Sequence, residues 1–135
     1  MYFATLKAIT TYLKENPDLD YLHIEGLPGH KFLPSLPDTL TSLWIENCPD
    51  LTSLIGLPRT IDHLKIENCP QLRDLPVMSC PLTALIVLKC PGVSQVRYLP
   101  RTLVQLWAEY CPGFADSFAL PESLNYWRIE NCEAV

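Results

Sequence analysis

Five cysteines, Cys48, Cys69, Cys90, Cys111 and Cys132, fall 21 residues apart without a slip. The spacing carries its context with it. The stretch "LWIENCP" (Leu43 to Pro49) returns as "LKIENCP" (Leu64 to Pro70), and "WRIENC" spans Trp127 to Cys132. Self-similarity at a fixed period of this size marks a stack of units, none of which can bury its apolar face without a neighbour. Units of equal length begin at Leu19, Leu40, Ile61, Leu82, Leu103 and Leu124. The expected organisation is a segment over residues 1–18 followed by a repeat domain over 19–135, six units of which the last is truncated.

Each unit opens L-x-x-L-x-I-x-x-C, as in "LTSLWIENC" (Leu40 to Cys48). Alternation of apolar and polar residues predicts a short strand there. The second half runs to "LPDT", "LPRT" or "LPES" and is rich in proline, which donates no backbone hydrogen bond. It reads as an extended, turn-like return on the opposite face. Ahead of the repeats, Phe3, Leu6, Ile9 and Leu13 recur at helical spacing, and Asn16 with Pro17 supplies a stop. This predicts a helix covering the edge of the first unit. At the other end two outcomes are open: Trp127, bulkier than the leucine it replaces, seals the stack, or the last strand presents a free edge.

The pattern L-x-x-L-x-I-x-x-C-P-x-L resembles the leucine-rich repeat, with cysteine in the slot usually filled by asparagine, and the resemblance covers residues 19–135. The form "LPxTLTSLxIENCPxLTSL" is similar to repeats of plant intracellular immune receptors. The short period and the "LPxxLxxL" junction resemble repeats of effectors injected by pathogenic bacteria. The resemblance implies an α/β solenoid with one parallel sheet on a concave face and an N-terminal helical cap over residues 1–18. In such effectors, enzymatic activity belongs to a separate ligase domain that this sequence does not contain.

Stacking explains the cysteines. Each slot lies on its copy in the next unit, so the five thiols should form a buried, reduced row with sulfurs inward, small apolar groups with a weak S–H donor. Cys80 stands outside the row, at the phase of Arg59 and Arg101, and is expected to be the most accessible thiol. There is no C-x-x-C pair, and His23, His30 and His63 do not stand with cysteines at zinc-ligand spacing, so neither metal nor cofactor is expected. No nucleophile elbow, phosphate loop or H-E-x-x-H occurs, and stacked carboxylates about 5 Å apart follow from strand spacing alone. Catalysis is therefore not expected.

Ten Lys and Arg against fifteen Asp and Glu leave a net charge of −5, which argues against nucleic acid or an anionic membrane as a partner. The N-terminus lacks the apolar core of a signal peptide, and the longest apolar run, "LIVL", is too short to cross a bilayer. A cytoplasmic protein, of its own cell or of a host, is expected. Alternation sends three columns outward: Tyr21, Ser42, His63, Ala84, Gln105 and Tyr126; then His23, Trp44, Lys65, Ile86, Trp107 and Arg128; then Glu25, Glu46, Glu67, Leu88, Glu109 and Glu130. Arg59, Arg73, Arg97 and Arg101 belong to the returns. Interface energy concentrates on aromatic, apolar and arginine anchors. The predicted partner site is Trp44, Lys65, Ile86, Leu88 and Trp107, with Glu67 and Glu109 as its polar rim, and the predicted partner is a protein with a basic or apolar surface. The expected function is a non-enzymatic protein-interaction module, a small effector or adaptor. Its rivals are a structural piece that self-associates through the C-terminal edge, and an excised or engineered recognition domain of an immune receptor.

Overall fold

The computed structural model describes residues 5–27, 29–73, 75, 80–93, 99–114 and 120–132. Six strands follow one another: β1 (Tyr21–Glu25), β2 (Ser42–Glu46), β3 (His63–Glu67), β4 (Ala84–Leu88), β5 (Gln105–Glu109) and β6 (Tyr126–Glu130). They pair in chain order, all parallel, and each residue lies opposite its copy 21 positions on: Leu22 faces Leu43, Leu43 faces Leu64, and so to Leu106 facing Trp127. The chain is a β-solenoid, and its repeat length is its sheet register.

Period-2 alternation decides what is inside. Leu22, Ile24, Leu43, Ile45, Leu64, Ile66, Leu85, Val87, Leu106 and Ala108 are all buried. The opening residues Leu40, Ile61, Leu82 and Leu103 join them, with Leu51, Leu72 and Val93 from the returns, in one continuous core. Each buried aliphatic side chain contributes about 1.5–3 kcal/mol. The prolines set the returns. Leu51, Leu72, Val93 and Phe114 each donate their N–H to the carbonyl of the cysteine three residues earlier, at 3.0–3.4 Å. Proline occupies the second position of every one of these turns, where its fixed φ favours them. A second turn follows at Pro37, Pro58, Pro100 and Pro121, whose carbonyls accept from Leu40, Ile61, Leu103 and Leu124. The hydroxyls of Thr39, Thr60, Thr102 and Ser123 then donate, at 2.6–2.7 Å, to the carbonyls of Leu19, Leu40, Leu82 and Leu103. That is the structural content of "LPxT" and "LPES": one polar rung per unit.

The third unit carries Pro81 at this phase and has no hydroxyl there. Cys80, beside it, makes a different contact. It turns inward, only 3% exposed, and its Sγ donates to the Pro58 carbonyl at 3.4 Å. The expectation of an accessible Cys80 is thus wrong, because the thiol packs into the stack against the return of the preceding unit. The row itself is as expected. Cys48, Cys69, Cys90, Cys111 and Cys132 are buried and reduced. Each row thiol donates to the carbonyl two residues back, at 3.2–3.6 Å. Neighbouring thiols also engage one another, pushing Cys69 and Cys111 up and their acceptors Cys48 and Cys90 down. Burial alone disfavours the thiolate at every one of them.

A further column went unread in the sequence. Gly26, Asn47, Asn68, Lys89, Tyr110 and Asn131, which follow the strands directly, all have left-handed backbones, with φ of 53–57° at the non-glycine positions. The N–H groups of the first five extend the sheet ladder by one rung, each donating to the last strand residue of the next unit at 2.8–3.2 Å. This is why "IENC" contains asparagine, the side chain that best tolerates this conformation after glycine.

Helix α1 (Leu6–Glu15) begins where Thr5 accepts from the Ala8 N–H at 3.1 Å, and ends where Asn16 donates from its side chain to the Tyr12 carbonyl at 2.8 Å. Ile9 is fully buried in the solenoid core, with Tyr12 and Leu13 packed against it. Phe3 and Arg97 lie outside the described residues. At the opposite end Trp127 occupies an inward phase yet is 54% exposed. It does not seal the stack. Its counterparts are buried by the strand that follows them, and among the described residues β6 has a neighbour on one side only.

Candidate functional site

The face of the sheet turned away from the core carries the three outward columns, and strand spacing dictates how they arrange themselves. Rungs near 4.8 Å apart let flat side chains lie on one another rather than stand into solvent. His23 stacks on Trp44 with ring centroids 3.9 Å apart and planes 9° from parallel. The Lys65 ammonium covers the other face of the same indole, 4.1 Å from its centroid. Arg128 covers Trp107 at 5.3 Å. Between these two stacks lies Ile86, half-buried, beside Ala84, which is buried although it points outward.

The predicted site residues therefore form two adjacent columns across β2 to β5: Trp44, Lys65, Ile86 and Trp107 in one, Glu67, Leu88 and Glu109 in the other. The tryptophans differ from expectation. Both are half-buried and capped by cations, and their indole N–H groups are buried without a hydrogen-bond partner. A shallow depression of about 250 Å³ runs along this face, lined by Tyr21, Ser42, Trp44, His63, Lys65, Ala84 and Ile86.

The glutamates form the row that the repeat implies, with Glu25 opposite Glu46, Glu46 opposite Glu67, and Leu88 interrupting it. Among the described residues Arg128 offsets the row, donating from Nε to Glu130 Oε1 at 2.7 Å and holding that carboxyl below its ordinary range. Lys65 turns to the indole instead, and Lys89 stands at the left-handed position. His63 pairs with its neighbour Asp62, Nδ1 to Oδ1 at 2.6 Å, in an exposed contact. His23 has no such partner. Its Nε2 is buried and unbonded, with the nearest carboxylate oxygen, Glu46 Oε2, at 4.0 Å. Burial pushes its pKa below the ordinary histidine value, against the opposing pull of Glu46 and Glu25.

His23, Glu25 and Glu46 each offer a ligand atom, all within 4.8 Å of one another. Sequence reasoning missed this trio by testing histidines only against cysteines. Its signal was present: H-x-E in one unit, with the second glutamate one period later. On the return face, Arg59, Arg73 and Arg101 are exposed, apart from the glutamate row. A second depression of about 480 Å³ lies there between Lys31, Phe32, Thr52, Ser53, Ile55 and Arg73. No family model, curated protein or solved structure matches this chain at a significant level.

Proposed function

We propose that the chain is a non-enzymatic protein-recognition module: a leucine-rich-repeat solenoid, capped by α1, that holds a protein partner against a concave outer sheet face. The observation that carries this reading is the strip of half-buried aromatic and apolar side chains, Trp44, Ile86, Leu88 and Trp107, lying open on that face with Glu67 and Glu109 beside it. Apolar and aromatic groups already immobilised by stacking lose little entropy when a partner covers them. The glutamate row selects a partner surface that is basic at its edges and apolar at its centre, and a net charge of −5 disfavours nucleic acid. A small effector or adaptor working in the cytoplasm fits that description.

The test is capture of partners from lysate by the purified chain and by Trp107→Ala, Ile86→Glu and the return-face variant Arg101→Glu. A protein captured by wild type and Arg101→Glu but lost with both face variants supports the reading. For a partner so identified, Trp107→Ala should weaken binding by about 2 kcal/mol, roughly thirtyfold. Undiminished capture by both folded face variants would move the site elsewhere. Trp127 favours a second reading, self-assembly through β6, since a side chain at an inward phase is half exposed on a strand that, among the described residues, pairs on one side only. A mass that rises with concentration in wild type but not in Trp127→Lys would establish it.

A further inference from the structure

We propose that His23, Glu25 and Glu46 form a binding site for a divalent transition-metal cation of the Zn²⁺ type at the β1–β2 end of the outer sheet face. Two independent observations carry this. The first is convergence: one imidazole nitrogen and two carboxylates from adjacent strands lie within 4.8 Å of one another. Tetrahedral zinc holds such ligands at about 2.0–2.2 Å, which sets them roughly 3.4 Å apart. Rotation of two half-buried glutamate side chains supplies the remaining contraction of up to about 1.4 Å.

The second is the state of the imidazole. His23 Nε2 is buried, has no hydrogen-bond partner, and faces the carboxylates across a gap too long for a hydrogen bond. A buried polar atom left unsatisfied is costly, and it is uncommon without a reason. A cation between Nε2 and the two carboxylates satisfies the nitrogen. It also relieves the repulsion between Glu25 and Glu46, which parallel register forces side by side.

The surroundings suit a metal. The ring of His23 is held in place by the face of Trp44, so its orientation is set before any ion arrives. The Lys65 ammonium is held on the far face of the indole from His23. An imidazole with two carboxylates selects Zn²⁺, Co²⁺, Ni²⁺ or Cu²⁺ over Mg²⁺ and Ca²⁺, which take oxygen ligands. Three protein ligands leave a fourth position open to water or to a group from a bound partner. The row thiols are buried on the other side of the sheet, so they do not compete in the folded protein.

The experiment is titration of the intact chain with Zn²⁺ by calorimetry and with Co²⁺ by absorption and tryptophan fluorescence, under reducing conditions. One equivalent should bind saturably. Co²⁺ should give the weak visible bands of nitrogen and oxygen ligation and quench the emission of Trp44, which is stacked on the ligand. Affinity should fall at least tenfold in His23→Ala and in Glu46→Gln, both checked for folding by circular dichroism, and should hold in His63→Ala. Absence of saturation by millimolar Zn²⁺ would overturn the proposal. So would unchanged affinity in folded Glu46→Gln, or an intense near-ultraviolet charge-transfer band, which reports thiolate ligands instead.

Discussion

Lys89 and Tyr110 hold the same left-handed backbone as Asn47, Asn68 and Asn131, with φ of 54° and 57°, but lack the asparagine side chain that eases it. An ordinary L-residue in this region is less stable by about 1–2 kcal/mol, and asparagine lowers that penalty. Both side chains are exposed, so replacing them removes little packing. Lys89→Asn and Tyr110→Asn should therefore each stabilise the protein by about 0.5–1 kcal/mol. Lys89→Gly should gain less, since glycine loses roughly 0.5–1 kcal/mol more chain entropy on folding. The reverse change, Asn68→Ala, restores the penalty and also removes the 2.6 Å hydrogen bond from Asn68 Nδ2 to Asn47 Oδ1. It should cost about 1–2 kcal/mol. Urea unfolding followed by circular dichroism reads these changes as shifts of the midpoint at constant slope, on the order of 0.5 M for 1 kcal/mol. Unmoved midpoints in Lys89→Asn and Tyr110→Asn, together with a neutral Asn68→Ala, would refute the claim that this column is strained.

Leu85, fully buried at the centre of β4, should cost about 2–5 kcal/mol when changed to alanine, whereas Trp107→Ala on the outer face should cost about 1–2 kcal/mol from lost stacking under Arg128. The same urea assay checks it, and the reverse order would invert the assignment of the two sheet faces. All six thiols, Cys80 included, should react slowly with an aromatic disulfide reagent in the native protein and rapidly in urea, and fast labelling of Cys80 alone would place it outside the stack. His23 has a folded pKa below its unfolded one, so its contribution to stability is complete above about pH 6.5 and is lost as pH falls from there towards the folded value. Unfolding midpoints measured between pH 7.5 and 5 should show a smaller acid loss in His23→Gln than in wild type. An identical slope in both would show that the ring titrates normally.

Much of this architecture was legible before any coordinate, because a strict period and a strict alternation each have one structural meaning. A cysteine every 21 residues requires each unit to lie on the next in register, and L-x-I within a unit requires those side chains to share one side of a strand. The prolines of "NCP" and "LPxT" could sit only in the returns, since a ladder needs the N–H they lack. From these alone come the parallel sheet, the inward leucines, the buried thiols and the membership of each outward column. The left-handed column was legible too, in a glycine and three asparagines at one phase, but it was passed over in favour of the cysteine beside it.

What the period does not encode is how a side chain responds to the copy above it. Cys80 shares the phase of the exposed Arg59 and Arg101 but is buried, its Sγ donating to the Pro58 carbonyl of the preceding unit. Trp127 shares the phase of Leu106 and is nonetheless exposed, because in a stack burial belongs to the following strand and not to the residue. Trp44 lies flat between His23 and Lys65, and Glu25 meets Glu46 beside a bare imidazole nitrogen, through contacts between residues 21 and 23 positions apart. Sequence by itself determined which side of the sheet each residue occupies, since that follows from backbone geometry with a period of two. Rotamers, stacking and the convergence of ligand atoms were decided only in the tertiary structure, where the identity of the next unit's side chain sets the energy of each choice.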